Sequence, residues 1–214
     1  MGEVWGWTAW FVWFLLFALA IFRAPWARLK DSESLNLWFG MIVLLTVIWS
    51  IKAGVKPGLS LHLLGATVFT LCFGRQLAFI GLSLVLAGIT LNGAAGYFAY
   101  ATNALLLAGV SVAVSHLICR LVDRHLPKHF FVFIFANGFF GAALTVIAVG
   151  LVSTLLMGLA DIYDFDYLTS EYLPYFLLLG FSEAWLSGML ITLFVVYRPG
   201  WVSEFNDSLY LAKK

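Results

Sequence analysis

From residue 58 to residue 93 the chain reads GLSLHLLGATVFTLCFGRQLAFIGLSLVLAGITLNG, two apolar runs that meet at Phe73-Gly74-Arg75-Gln76. The runs, at about 59–74 and 77–93, come close to the roughly 20 residues that a membrane-crossing helix needs. Their shortness and the Gly-Arg break between them leave two readings open. They are two spans, or one helical hairpin that crosses only in part, which is tolerated where it lines a protein cavity. His62 lies near the start of the first run. A titratable side chain in a segment built to sit in lipid is costly unless it faces a cavity or a partner, so His62 is a functional candidate.

Outward from this stretch, apolar runs separated by turn or charge signals predict spans at about 4–22, 36–51, 104–122, 130–157 and 173–197, about seven with the first pair. Hydrophobic residues make up 63% of the chain and charged ones only 11%, against roughly 25% charged in soluble domains. The 214 residues therefore predict an all-α polytopic bundle, a single integral membrane domain over 1–214. No room remains for a soluble catalytic domain. No HExxH, Walker, GxSxG or GxGxxG pattern is present, so neither an enzyme nor an organic cofactor is expected. The basic residues are scattered over loops with a net charge of +1, which argues against a nucleic-acid partner. Cys72 and Cys119 are too far apart in sequence for a CxxC motif and read as neither a metal pair nor a disulfide. Glu3 and the absence of a basic n-region predict that the first helix is retained.

With seven spans, ten of the twelve Lys and Arg residues fall on one side (Arg23, Arg28, Lys30, Arg75, Arg120, Arg124, Lys128, Arg198, Lys213 and Lys214) and only Lys52 and Lys56 on the other. The positive-inside rule then predicts an N-out, C-in bundle. The loop with Asp161, Asp164, Asp166 and Glu171, the stretch from Asn92 to Asn103 and the start of the His62 segment lie outside in that arrangement.

Several other polar groups fall at membrane depth. Glu183 is the only carboxyl well inside a predicted span, and it must be neutral, paired or hydrated. It is either satisfied by Ser182, Ser187 or an amide of a neighbouring helix, or it belongs to a substrate path. Asn92, Asn103 and Asn137 carry the same two readings, interhelical hydrogen bonding or a path. His125 and His129 flank Pro127 in a basic loop and read as solvated. His116 sits at the inner end of the fifth span. The small residues Gly88, Gly93, Ala94, Ala95 and Gly96, and Gly138, Gly141, Ala142 and Ala143, predict close helix packing. His62 differs from the other histidines in its small and apolar surroundings, which favour a neutral imidazole, a ligand suited to nickel, cobalt, copper or zinc.

Three stretches together resemble a known family. His62-Leu-Leu-Gly-Ala66 with Phe73-Gly74-Arg75-Gln76-Leu77-Ala78, then Asn92-Gly-Ala-Ala-Gly96 through Asn103, then Leu173-Pro174 through Glu183 to Arg198-Pro199 follow the order of the substrate-specificity membrane subunits of cobalt and nickel energy-coupling factor transporters. The resemblance runs over 58–199, a permease-like core. It leaves 1–57 as two extra N-terminal spans and 200–214 as a cytoplasmic tail.

The resemblance implies a metal-uptake subunit of a bacterial cytoplasmic membrane, working with a coupling membrane subunit and ABC-type ATPases, with a divalent transition metal ion as its substrate. It implies His62 as a metal ligand. In the family the N-terminal amine and a histidine at position two share the ion, and here position two is Gly2. Glu3, Asn103, the outer acidic loop or a partner would then complete the ligand set, although Asp161, Asp164 and Asp166 read better as a hydrated loop that concentrates cations, with Asn92 and Glu183 as candidates for the substrate path. The alternative is a membrane scaffold or assembly protein that keeps the permease fold without transporting metal.

Overall fold

The computed structural model describes residues 3–51, 53–56, 59–93, 96–206 and 210. Gly2, Lys52, Gly58, Ala94, Ala95, Lys213 and Lys214, all used above, lie outside the described residues. Among those described, six helices are long and apolar enough to cross a membrane: α1 (Glu3–Arg23), α2 (Ser32–Ser50), α3 (Ala66–Leu91), α4 (Tyr100–His125), α5 (Phe130–Leu159) and α6 (Phe165–Tyr197). A two-stranded antiparallel hairpin, β1 (Ala53–Lys56) and β2 (Leu59–Leu61), links α2 to α3. α3 is the central element, with 78% of its apolar stretch buried inside the protein, whereas α1 has 6% buried and packs at the periphery.

The seven expected spans become six helices because the third and fourth runs form one element, α3, bent at Gly74. There the backbone adopts φ 75° and ψ 172°, a region open in practice only to glycine. Phe69 packs its ring onto Gly81, yet in one straight helix these residues would stand about 18 Å apart at 1.5 Å per residue. The chain therefore turns back at Gly74, and arms 66–73 and 75–91 lie against each other as a hairpin. The carbonyls at the end of the first arm, Leu71 and Cys72, accept from the backbone N–H groups of Glu204 and Ser203 at 3.2 Å each, which satisfies acceptors that a helix end leaves open. α2 pins the second arm and the linker ahead of the first, since the indole N–H of Trp38 donates to the Leu77 carbonyl and that of Trp49 to the Leu64 carbonyl, each at 3.2 Å.

His62 was expected inside a span, and the structure corrects this. It lies in the extended linker 62–65, between β2 and α3. Residues 59–61 pair with β1 instead of starting a helix. Gly65 holds a left-handed conformation, φ 64° and ψ 5°, and a right-handed helix does not run back through such a residue.

The bundle has two distinct ends. Trp7 meets Phe98 edge-on and Trp10 stacks on Tyr100, so α1 begins beside the start of α4. Arg28, just past α1, and Arg120, near the end of α4, line one cavity, and Arg28 donates to the carbonyls of Gly200 and Trp201 at 3.2 and 3.1 Å. The start of α1 and the segment after α6 thus lie at opposite ends. The first end carries the His62 linker and the second the Gly74 bend and the arginines.

Candidate functional site

The His62 linker is fixed by a contact from the far side of the sequence. Glu183, on α6 and only 2% exposed, accepts hydrogen bonds from the backbone N–H of Leu64 at 2.9 Å and of Gly65 at 2.6 Å. Ser187, one turn further along α6, donates to the same carboxyl at 3.5 Å. The two amides stand at the start of α3, where the first N–H groups of a helix have no partner of their own and the helix dipole favours an acidic group. Glu183 therefore holds, from another helix, the N-cap residue Gly65 and the residue before it. Of the two readings of Glu183, a satisfied carboxyl describes the observed geometry, and its partners are the linker amides themselves.

Gly65 is required at this point for two reasons. Its φ is positive, and a Cβ there would stand 2.5 Å from Leu45 Cδ2. The Leu45 methyl of α2 thus occupies the place of a side chain, which could enter only if Leu45 moved.

His62 is half-buried, with its ring tilted 36° against the ring of Trp49 at a centroid distance of 4.6 Å. Trp49 is fully buried, and its indole N–H also donates to the Leu64 carbonyl, so one side chain supports both the imidazole and the backbone that carries it. The Nδ1 atom of His62 lies 3.2 Å from the Leu63 carbonyl oxygen. A neutral imidazole that donates through Nδ1 carries its lone pair on Nε2, the arrangement in which a second contact orients a metal-ligating ring.

The other expected residues are more dispersed. Asn92 ends α3 and is exposed, and Asn103 is half-buried on α4. Neither takes part in the hydrogen bonds of Glu183. Asn103 immediately precedes a π-helical stretch, Ala104–Val110, one of three such stretches with Phe133–Phe140 in α5 and Leu168–Tyr172 in α6. Asn137, within the second, is buried with an unpartnered Oδ1. Asp161, Asp164 and Asp166 sit in the turn before α6 and at its start, where Asp164 accepts from the backbone N–H of Asp166 at 3.3 Å. His125 and His129 are both exposed, His125 as the last residue of α4 and not in a loop as expected, His129 in the loop that follows. Cys72 and Cys119 are buried free thiols. Among the described residues no three His, Cys, Asp or Glu side chains are grouped closely enough to hold a metal ion.

Sequence reasoning missed Trp49. Its only signal was a tryptophan near the end of an apolar run, followed by a histidine just across a Gly- and Pro-containing turn.

The chain matches the model of a family described as CbiM, cobalt uptake substrate-specific transmembrane region, over residues 2–201. The match takes in the first two helices as well as the stretch from 58 to 199. Among solved structures it is similar to one described as the crystal structure of a truncated transition metal transporter. The two chains are 19% identical, with 85% of this chain and 88% of the other covered and a TM-score of 0.71, which shows a common fold. No curated protein matches the chain.

Proposed function

Because the chain belongs to the CbiM family of cobalt uptake substrate-specific transmembrane regions, we propose that it is the substrate-binding membrane subunit of an energy-coupling-factor-type transporter and that His62 is a ligand for its divalent metal ion. The observation that carries this reading is the immobilisation of the 62–65 linker, with Trp49 against the ring and Glu183 on the backbone. Metal capture needs a ligand held near its bound geometry before the ion arrives, and an oriented imidazole supplies this. Cobalt and nickel suit a neutral imidazole. In this proposal Asn103 is the candidate further ligand and Asn92 a candidate for the substrate path, while Glu183 acts by holding the linker.

The orientation proposed is N-out and C-in, with the arginine-rich end in the cytoplasm of a bacterium, following the charge asymmetry. A coupling membrane subunit and paired ATPases would drive release on that side. The permease-like core spans 58–199, with the two N-terminal helices packed beside it.

The test is direct. Purified protein is titrated with cobalt, nickel, copper and zinc, and bound metal is counted by mass spectrometry, for wild type and His62→Ala. The variant is expected to lose more than the roughly 100-fold that a change in the outer shell of a metal site costs, with its melting temperature little changed. Equal and negligible binding by both proteins would overturn the reading and favour a scaffold that keeps the fold. That alternative draws on the lack of a three-residue ligand cluster among the described residues.

A further inference from the structure

At the end of the bundle away from His62, a cavity of about 480 Å³ opens between the turn after α1, the Gly74 bend, the end of α4 and the segment after α6. Arg28, Arg75 and Arg120 all line it, together with His116 and Glu204. Among the described residues the ion pairs are Lys128 with Asp123 and Arg198 with Glu33, so none of these three guanidiniums is paired. Arg28 lies over the Phe73 ring at 5.5 Å and donates to two carbonyls, while its Nε is buried with no hydrogen-bond partner. Gly74 leaves the cavity open at the bend, since the nearest atom to a Cβ there would be Glu204 Oε1 at 3.9 Å. Glu204 is the single carboxyl among the lining residues.

Three guanidiniums facing one carboxyl leave an excess of positive charge and of N–H donors. The planar fork of arginine pairs best with oxyanions it can grip through two oxygens. We propose that this cavity binds a phosphate group, as the headgroup of an acidic phospholipid or as free phosphate. Its place at the ends of the spans is the level at which anionic headgroups lie, and basic pockets between transmembrane helices take such groups. The three arginines come from separate elements around a compact cavity, which suits a small polyoxygen anion better than an extended acidic peptide. A bound phosphate would tie the α3 bend to the end of α4 and to the turn after α1.

The experiment uses the full chain in dodecyl maltoside micelles, alone or with added inorganic phosphate, phosphatidylglycerol or poly-glutamate peptide. Melting temperature is followed by tryptophan fluorescence and retained lipid by native mass spectrometry. Wild type is expected to melt higher with at least one phosphate source. Phosphatidylglycerol alone being effective assigns the headgroup, and inorganic phosphate alone being effective assigns the free ion. In the R75Q/R120Q double variant the shift should vanish and ligand retention fall about tenfold or more, while Arg124→Gln, outside the cavity, should behave as wild type. Both substituted arginines are exposed, so the double variant is expected to fold. No shift from either source, an equal shift in the double variant, or stabilisation only by a poly-glutamate peptide would overturn the proposal.

Discussion

Each end of this bundle holds a carboxyl close to a break in a helix, and the two are treated differently. At the His62 end, Glu183 meets two backbone N–H groups at the start of α3. At the arginine end, Glu204 lines a cavity with three guanidiniums that form no close ion pair among the described residues. The first arrangement is closed. Its donors and acceptors satisfy one another inside the protein, and the result is a fixed linker. The second is open, with three arginines to one carboxyl among the described lining residues. A buried carboxyl therefore does not mark a binding site by its presence; the balance of donors and acceptors around it separates a structural clamp from a site that awaits a ligand.

The sharpest way to break this contrast is to remove the clamp. Glu183→Ala strands the buried amide of Leu64 and the half-buried one of Gly65, and a loss on the order of 3 kcal/mol follows from leaving such donors without acceptors. Denaturation in detergent reads the stability. Metal binding should fall by roughly 10-fold or more as well, because the linker that presents His62 is no longer held. Glu183→Gln keeps one amide acceptor and should fall between the two proteins in both measurements. If Glu183→Ala unfolds at the wild-type midpoint, the clamp is not what fixes the linker.

The bend at Gly74 gives the next largest effect. Its conformation, φ 75° and ψ 172°, admits a side chain only under strain, so Gly74→Ala should cost about 1–3 kcal/mol. Space is not the cause, since the nearest atom to the new Cβ would be 3.9 Å away. Gly65→Ala offers the comparison at the other end, where Leu45 blocks the Cβ position. There a second substitution, Leu45→Ala, should relieve part of the loss, whereas no neighbouring truncation should rescue Gly74→Ala. Rescue of Gly74→Ala by trimming a neighbour would show that crowding, not backbone, governs the bend.

The same two glycines show what the sequence made legible. Length and hydropathy locate apolar runs because a span must cover a fixed hydrocarbon thickness, and five of the seven runs match helices that differ mainly at their boundaries. α6 begins at Phe165, before the expected 173, because the chain ahead of Pro174 continues as the π-helical stretch Leu168–Tyr172. Phe73-Gly74-Arg75-Gln76 read as a break, and a hairpin was one of its two readings. That the arms fold back is decided by Phe69 on Gly81 and by the 203–204 segment capping the first arm, contacts that no local pattern encodes. His62 was legible as unusual, but its supports were not. Glu183 reaches its partners across 118 and 119 residues of chain, a pairing set by how α6 packs.

The smallest effect belongs to Glu204. Burial pushes its carboxyl above the ordinary value, and the opposing pull of Arg120 and Arg28 is weaker. The folded protein therefore binds this proton more tightly than the unfolded chain does. The resulting stability is fully present below the ordinary carboxylate range and is lost as pH rises through the raised folded value. Glu204→Gln removes that titration. It should melt with the wild type in acid and above it at neutral pH, with the gap opening across that window. The gap will be modest, because Glu204 is only half-buried and water screens its charge. Melting curves in detergent across the acid-to-neutral range check this, and parallel curves at all pH values would mean that Glu204 titrates alike in the folded and unfolded chains. That result would leave the arginine end with an ionised partner already in place and would narrow the difference between the two ends.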